Sequence, residues 1–481
     1  MKSKKKMTTT ALAVALAVLL LIGGGTFAYL QSTTGDVKNN FNTNKVMVEL
    51  SETGNGQYDI IPGTEQSKDP KVTVNNTVDA YVYVEVTDTT QGLVEYSIAD
   101  GWTPLDGFEG VYYREVAKST EPQVFNVLKD DKVSYSTALE NSDMLNTDGS
   151  LKAGVELTFK AHAIQKAGFD SAVAAYKQIP TEAATTEELT AALENEKAVT
   201  LNADNLTVPV RTITEKNVSV DLNGKTLTVT GGNEVQNINE GQSVTFENGT
   251  VKFENGTNPN VAGISLNGNG SELNLKKVNV ETKNSILVAA GVDSATINIT
   301  DSTIITNAYY VVNTNAANSK TGKDVEINIK NSHLTTSRED HDNAGILFNI
   351  PGKLNIEGSE ITADRQAVIV RCGTATIKDS KLICTAEANK NIWAKYDNAS
   401  WSQGNEVPVA TLVVGNRSNA NVYPYDASCT LSNTTLTLGD GNTGRKLVYA
   451  AACNGFTTTV NGIDENNVTI YQGTDSTVTI K

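Results

Sequence analysis

From Val218 to the end of the chain one short pattern returns: two apolar residues two apart, a small polar turn, then another apolar position five residues on. The copies are VDLNGKTL (220–227), VTFENGTV (244–251), LNLKKVNV (273–280), INITDSTI (297–304), INIKNSHL (327–334), LNIEGSEI (354–361), ATIKDSKL (375–382) and CTLSNTTL (429–436). Aligned on Leu222, Phe246, Leu275, Ile299, Ile329, Ile356, Ile377 and Leu431, the gaps are 24, 29, 24, 30, 27, 21 and 54 residues, the last about two coils long. A repeat of this length carrying period-2 strands is the signature of a β-solenoid.

Each copy alternates on both sides of its turn, which sends one side of each strand into a core. The turn position holds Gly224, Asn248, Asp301, Asn331, Gly358, Asp379 or Asn433, residues that tolerate a left-handed backbone, whereas Lys277 breaks the rule. The expected outward stripes are rows of Asn and Thr. One runs through Asp221, Thr245, Asn274, Asn298, Asn328, Asn355, Thr376 and Thr430. The other runs through Thr228, Lys252, Glu281, Ile305, Thr335, Thr362, Ile383 and Thr437.

A third apolar run precedes most copies: GISL (263–266), SILV (285–288), YYVV (309–312), GILF (345–348) and AVIV (367–370). Three strands per coil over residues 199–475 resemble the pectin-lyase-like superfamily of right-handed parallel β-helices, a fold shared by many unrelated functions. The solenoid also needs caps at its ends. Thr185-Thr186-Glu187-Glu188 reads as a capping box, with Thr185 as N-cap and Glu188 reaching back, ahead of a helical stripe of Leu189, Ala192 and Leu193.

The first 28 residues read as an export signal: Lys2, Lys4, Lys5 and Lys6, an apolar run from Ala11 to Ile22, and a small-residue exit at Thr26 and Ala28. Cleavage is expected between Ala28 and Tyr29. Short alternating strands with turn signals follow, the pattern of an antiparallel β-sandwich. The exit GGGTFAYLQSTTGDVKNNFNTNKVMVEL (23–50), with IPGTEQSKDPKVTVNNTVDAYVYVEV (61–86), VYYREV (111–116) and VELTFKAHAIQKAGFDS (155–171), resembles the TasA/camelysin family of Gram-positive exported proteins. That resemblance implies a jelly-roll-like sandwich and processing by a SipW-type signal peptidase. It also implies subunit joining by donation of the N-terminal strand, here the segment bearing Tyr29, Leu30, Val37 and Phe41.

The expected fold is therefore all-β: signal peptide 1–28, sandwich 29–170, linker and short capping helix 171–198, and parallel β-helix 199–481. A net charge of −16 without a basic stripe argues against nucleic acid and anionic lipid and suits a secreted or cell-surface protein. The four cysteines, Cys372, Cys384, Cys429 and Cys453, all fall in the β-helix, with Cys384 and Cys429 facing inward as buried thiols.

Chemistry is sparse in the sequence. No CxxC or HExxH occurs, and His162, His333 and His341 are scattered, so neither a metal nor another cofactor is indicated. Arg338-Glu339-Asp340-His341-Asp342 reads as a solvated loop. Asp364-Arg365 with Arg371 reads as too little for a lyase site, and GDGNTG (439–444) and NGNG (267–270) read as turns. The outward stripes lack the paired carboxylates of acid–base catalysis, so no enzyme is expected. The leading expectation is a structural or adhesive surface protein that self-associates or joins matrix proteins. The alternatives are a carbohydrate-binding module, using Trp393, Tyr396, Trp401, Tyr423 and Tyr425 in the excursion 391–425, or a polysaccharide lyase or hydrolase.

Overall fold

A computed structural model describes residues 45–53, 56–150, 152–232, 234–255, 262–314, 321–337, 343–385, 410–416, 424–440 and 445–481. The chain divides into two units between Ile179 and Pro180.

Among the described residues the first unit contains three antiparallel sheets, the smallest a pairing of Glu65–Ser67 with Lys132–Ser134. Val46–Ser51, Lys71–Asn76 and Gln123–Asn126 form one, with Lys71–Asn76 in the middle. Thr103–Pro104, Val111–Val116, Ala80–Asp88 and Leu157–Gln165 form a second in that spatial order. Strict alternation in KVTVNN turns Val72 and Val74 inward against Val82, Val84 and Val116 of the facing sheet. The opposite face of the second sheet is covered as well. Tyr81 and Tyr83 pack there beneath the helix Ala172–Lys177, where the Tyr83 hydroxyl donates to the Ala172 carbonyl at 2.7 Å.

The second unit is a parallel β-helix built from a sheet of nineteen strands and a sheet of nine. The helix Thr186–Glu194 caps its first coils with the expected capping box. The Glu188 backbone N–H donates to Thr185 Oγ1 at 3.2 Å, and Glu188 Oε2 accepts from Thr185 N at 3.2 Å. Leu189 and Leu193 are fully buried against the first coils. The core column Phe246, Leu275, Ile299, Ile329, Ile356 and Ile377 pairs in register and is almost wholly buried, each side chain stabilising by about 1.5–3 kcal/mol.

Two parts of the expected register are corrected. Val220, not Leu222, pairs with Phe246, because the first copy has a wider turn with both Asn223 and Gly224 left-handed. Ser219 therefore heads the first outward stripe, and Asp221 instead pairs with Glu247. The 54-residue gap is a single coil, since Ile377 pairs directly with Leu431 and Leu382 with Leu436. The residues that lengthen it fall mostly within 386–409 and 417–423, outside the described residues. The second outward stripe pairs as read, from Thr228 to Thr437.

The turns follow the predicted chemistry. Asn248, Asp301, Asn331, Asp379 and Asn433 have φ of 60°, 50°, 49°, 51° and 47°. Lys277 is no exception, adopting φ of 52° at the same place in its coil. Beside these bends runs a buried serine stack: the Ser302 N–H donates to Ser332 Oγ, the Ser332 N–H to Ser359 Oγ, and the Ser359 N–H to Ser380 Oγ, each at 3.0–3.1 Å. Each hydroxyl thus satisfies a backbone donor that the bend removes from the strand ladder.

Candidate carbohydrate-binding face

Four neighbouring strands, Ser271–Thr282, Ser294–Thr300, Asp324–Lys330 and Lys353–Glu357, bring Asn274, Asn298, Asn328 and Asn355 into one outward row. Alternation decides their direction, because each lies between two core residues of its strand. Stacking turns the row into an amide ladder. Asn298 Nδ2 donates to Asn274 Oδ1 at 2.9 Å, Asn328 Nδ2 to Asn298 Oδ1 at 3.1 Å, and Asn355 Nδ2 to Asn328 Oδ1 at 2.9 Å. An amide has two N–H donors and two acceptor lone pairs, so the ladder leaves polar capacity on its outer side.

Charged rows flank the ladder. Two residues earlier in each strand stand Glu272, Thr296, Glu326 and Lys353, and two residues later stand Lys276, Thr300, Lys330 and Glu357. Asn298 Nδ2 also donates to Glu272 Oε1 at 3.3 Å, and Asn355 Nδ2 to Glu326 Oε1 at 3.1 Å, so both carboxylates lean toward the ladder. Lys276 pairs with Glu247 at 3.6 Å, and Lys378 with Glu357 at 3.2 Å. The hydrogen bond from Lys378 to Glu357 raises its ammonium pKa. Glu272 and Glu326 are missed when outward positions are counted only one residue before each core anchor. Counting three back finds them.

The other sequence-selected residues lie elsewhere. Trp393, Tyr396, Trp401 and Tyr423 fall outside the described residues, as do Ala28, Tyr29, Leu30, Val37, Phe41 and the 338–342 loop. Tyr425 is half-buried, and desolvation pushes its hydroxyl above the ordinary range. Asp364 and Arg365 are buried in a turn, where Asp364 Oδ1 accepts from the Thr385 hydroxyl at 2.5 Å and Arg365 Nε donates to Gln366 Oε1 at 3.0 Å. Arg371 is fully buried. None of these three side chains stands on the open face. All four cysteines are buried and none is in a disulfide, and burial holds the Cys429 thiol up at about 12. Among the described residues no three His, Cys, Asp or Glu side chains gather as a metal would require, and no helix is long and apolar enough to cross a membrane.

No family model matches the chain, and no curated protein matches it. The TasA/camelysin resemblance therefore rests on the sequence alone, whereas the parallel β-helix is present in the second unit. Among solved structures, the chain is similar to a substituted catalytic domain of a GH87 α-1,3-glucanase in complex with nigerose, at 10% identity over 88% of this chain and 85% of that one, with a TM-score of 0.27. It is also similar to the Agl-KA catalytic domain, at 11% identity over 86% of this chain and 90% of that one, with a TM-score of 0.29. Both of those structures are catalytic domains, against the expectation of a non-enzyme. Likenesses this distant assign neither a substrate nor a residue to this chain.

Proposed function

We propose that this is a secreted or cell-surface, polysaccharide-active protein whose β-helix holds an extended sugar polymer against the asparagine face. The observation that carries the reading is the four-coil amide ladder with Glu272 and Glu326 leaning on it. Outward amide C=O groups at one coil spacing, with the Glu272 and Glu326 carboxylates beside them, accept from ring hydroxyls. The face is open and repetitive, which suits a polymer better than a small ligand held in an enclosed pocket.

The test is incubation of the mature chain with insoluble α-1,3-glucan, β-1,4-glucan, chitin and pectin, scoring both retention and release of reducing ends. Retention of at least one polymer, lost on Asn298→Ala with Asn328→Ala, is the expected result, and release of reducing ends would add hydrolysis to binding. Retention of none would sink the reading.

The two facing antiparallel sheets of the first unit favour an additional role for it in assembly, in line with the sandwich that the TasA/camelysin resemblance implies. Electron microscopy of residues 29–481 beside 41–481 tests it. Filaments only in the longer form are expected, and single particles in both would overturn the assembly role.

A further inference from the structure

Two coils of the asparagine face present the same three outward side chains. Glu272, Asn274 and Lys276 project from one strand, and Glu326, Asn328 and Lys330 project from the strand two coils on. Between them lies an uncharged strip of Thr296, Asn298 and Thr300. The identity extends to hydrogen bonding: each glutamate accepts from the asparagine of the next coil, Glu272 from Asn298 at 3.3 Å and Glu326 from Asn355 at 3.1 Å. Strands in a sheet lie about 4.8 Å apart, so the two charged strips recur at about 9.5 Å along the stacking axis.

Resting on the polysaccharide reading above, we infer that this face binds a neutral, extended polysaccharide laid along the solenoid axis, reading every second sugar ring through the two Glu-Asn-Lys strips. In an extended chain with two-fold character, successive rings face opposite ways, so equivalent hydroxyls recur every second ring. A surface with a two-coil period meets equivalent groups at both strips, and the neutral strip meets the inverted ring between them. Each strip carries one carboxylate and one ammonium, which balances its charge and suits hydroxyls over uronates. A carboxylate accepting from a hydroxyl makes a charge-assisted bond, stronger than one between neutral groups.

The test is calorimetric titration of the full mature chain with β-1,4-glucan oligosaccharides of two and six residues, using Glu272→Gln, Glu326→Gln and the double variant. The hexasaccharide spans both strips. Each single substitution should weaken its binding about tenfold, and the double about a hundredfold, because well-separated sites add. The disaccharide fits either strip. Wild type should take up two, and each single variant one, with the remaining site unchanged. Thermal melts of the variants would show that the fold is kept.

Hexasaccharide affinity unchanged in both single variants, or a disaccharide stoichiometry of one in the wild type, would overturn the inference. So would no oligosaccharide binding by a chain that still retains polymer, and the polysaccharide reading would then stand. Failure to retain any polymer would overturn both.

Discussion

Asn328 donates from Nδ2 to Oδ1 of Asn298 at 3.1 Å, although thirty residues separate them in the chain. The bond exists because their strands pair in parallel with no register shift, from Ser294 opposite Asp324 to Thr300 opposite Lys330. Asn328 also accepts from Asn355, so it is an interior rung of the ladder. Asn328→Ala removes two hydrogen bonds at a half-buried site. A loss of about 1–2 kcal/mol is expected, measurable as a lower urea midpoint, together with weaker polymer retention.

Gln236 sits in the inward column of the smaller sheet, opposite Ile264, and is fully buried. Neither its amide nitrogen nor its oxygen finds a hydrogen-bond partner among the described residues. Gln236→Leu removes a desolvated amide from an apolar core and should raise stability by about 1–3 kcal/mol. A denaturant midpoint that stays level or falls would refute this account of the site.

Lys277 holds a left-handed φ of 52° in a position where neighbouring coils place Asn, Asp or Gly. A side chain with a β-carbon pays a steric cost of about 1 kcal/mol there. Lys277→Gly is therefore expected to stabilise modestly despite the greater freedom glycine gives the unfolded chain. The same change at an extended strand position, such as Lys276, should destabilise, and equilibrium unfolding of the pair makes the comparison.

Asp69 in the first unit accepts from the Thr53 hydroxyl at 2.7 Å and the Thr53 N–H at 3.0 Å, with Lys71 at 3.2 Å. These contacts, the Thr53 hydroxyl foremost, lower its carboxyl from 3.8 to about 2. A lowered folded pKa means that the stabilisation is complete above the ordinary value and fades as pH falls through the folded one. Stability of this unit should fall between pH 4 and pH 2, and Asp69→Asn should flatten that part of the curve in a pH series of thermal melts.

The four thiols are buried and outside any disulfide, with Cys429 raised to about 12 by desolvation. The thiolate is the reactive form, so a thiol reagent at neutral pH should label none of them until denaturant is added. Prompt labelling of the native chain would contradict the burial.

Local sequence determined the solenoid itself. Period-2 alternation settles which side of a strand is apolar, and Asn, Asp or Gly at the bend settles where the strand turns, so the coils, the second outward stripe and the Thr185–Glu188 cap were legible residue by residue. Register between coils was legible only where turns have equal length. The wider turn at Asn223–Gly224 displaced the first copy by two residues, and the 54-residue gap left the number of coils before Leu431 open. Only the stacked strands decided those two points, since hydrogen bonding between neighbours, not spacing along the chain, fixes which residues stand side by side. The same holds for the face itself. Glu272 and Glu326 are unremarkable in the linear chain, and they become equivalent members of one surface because parallel pairing sets their coils two strand spacings apart.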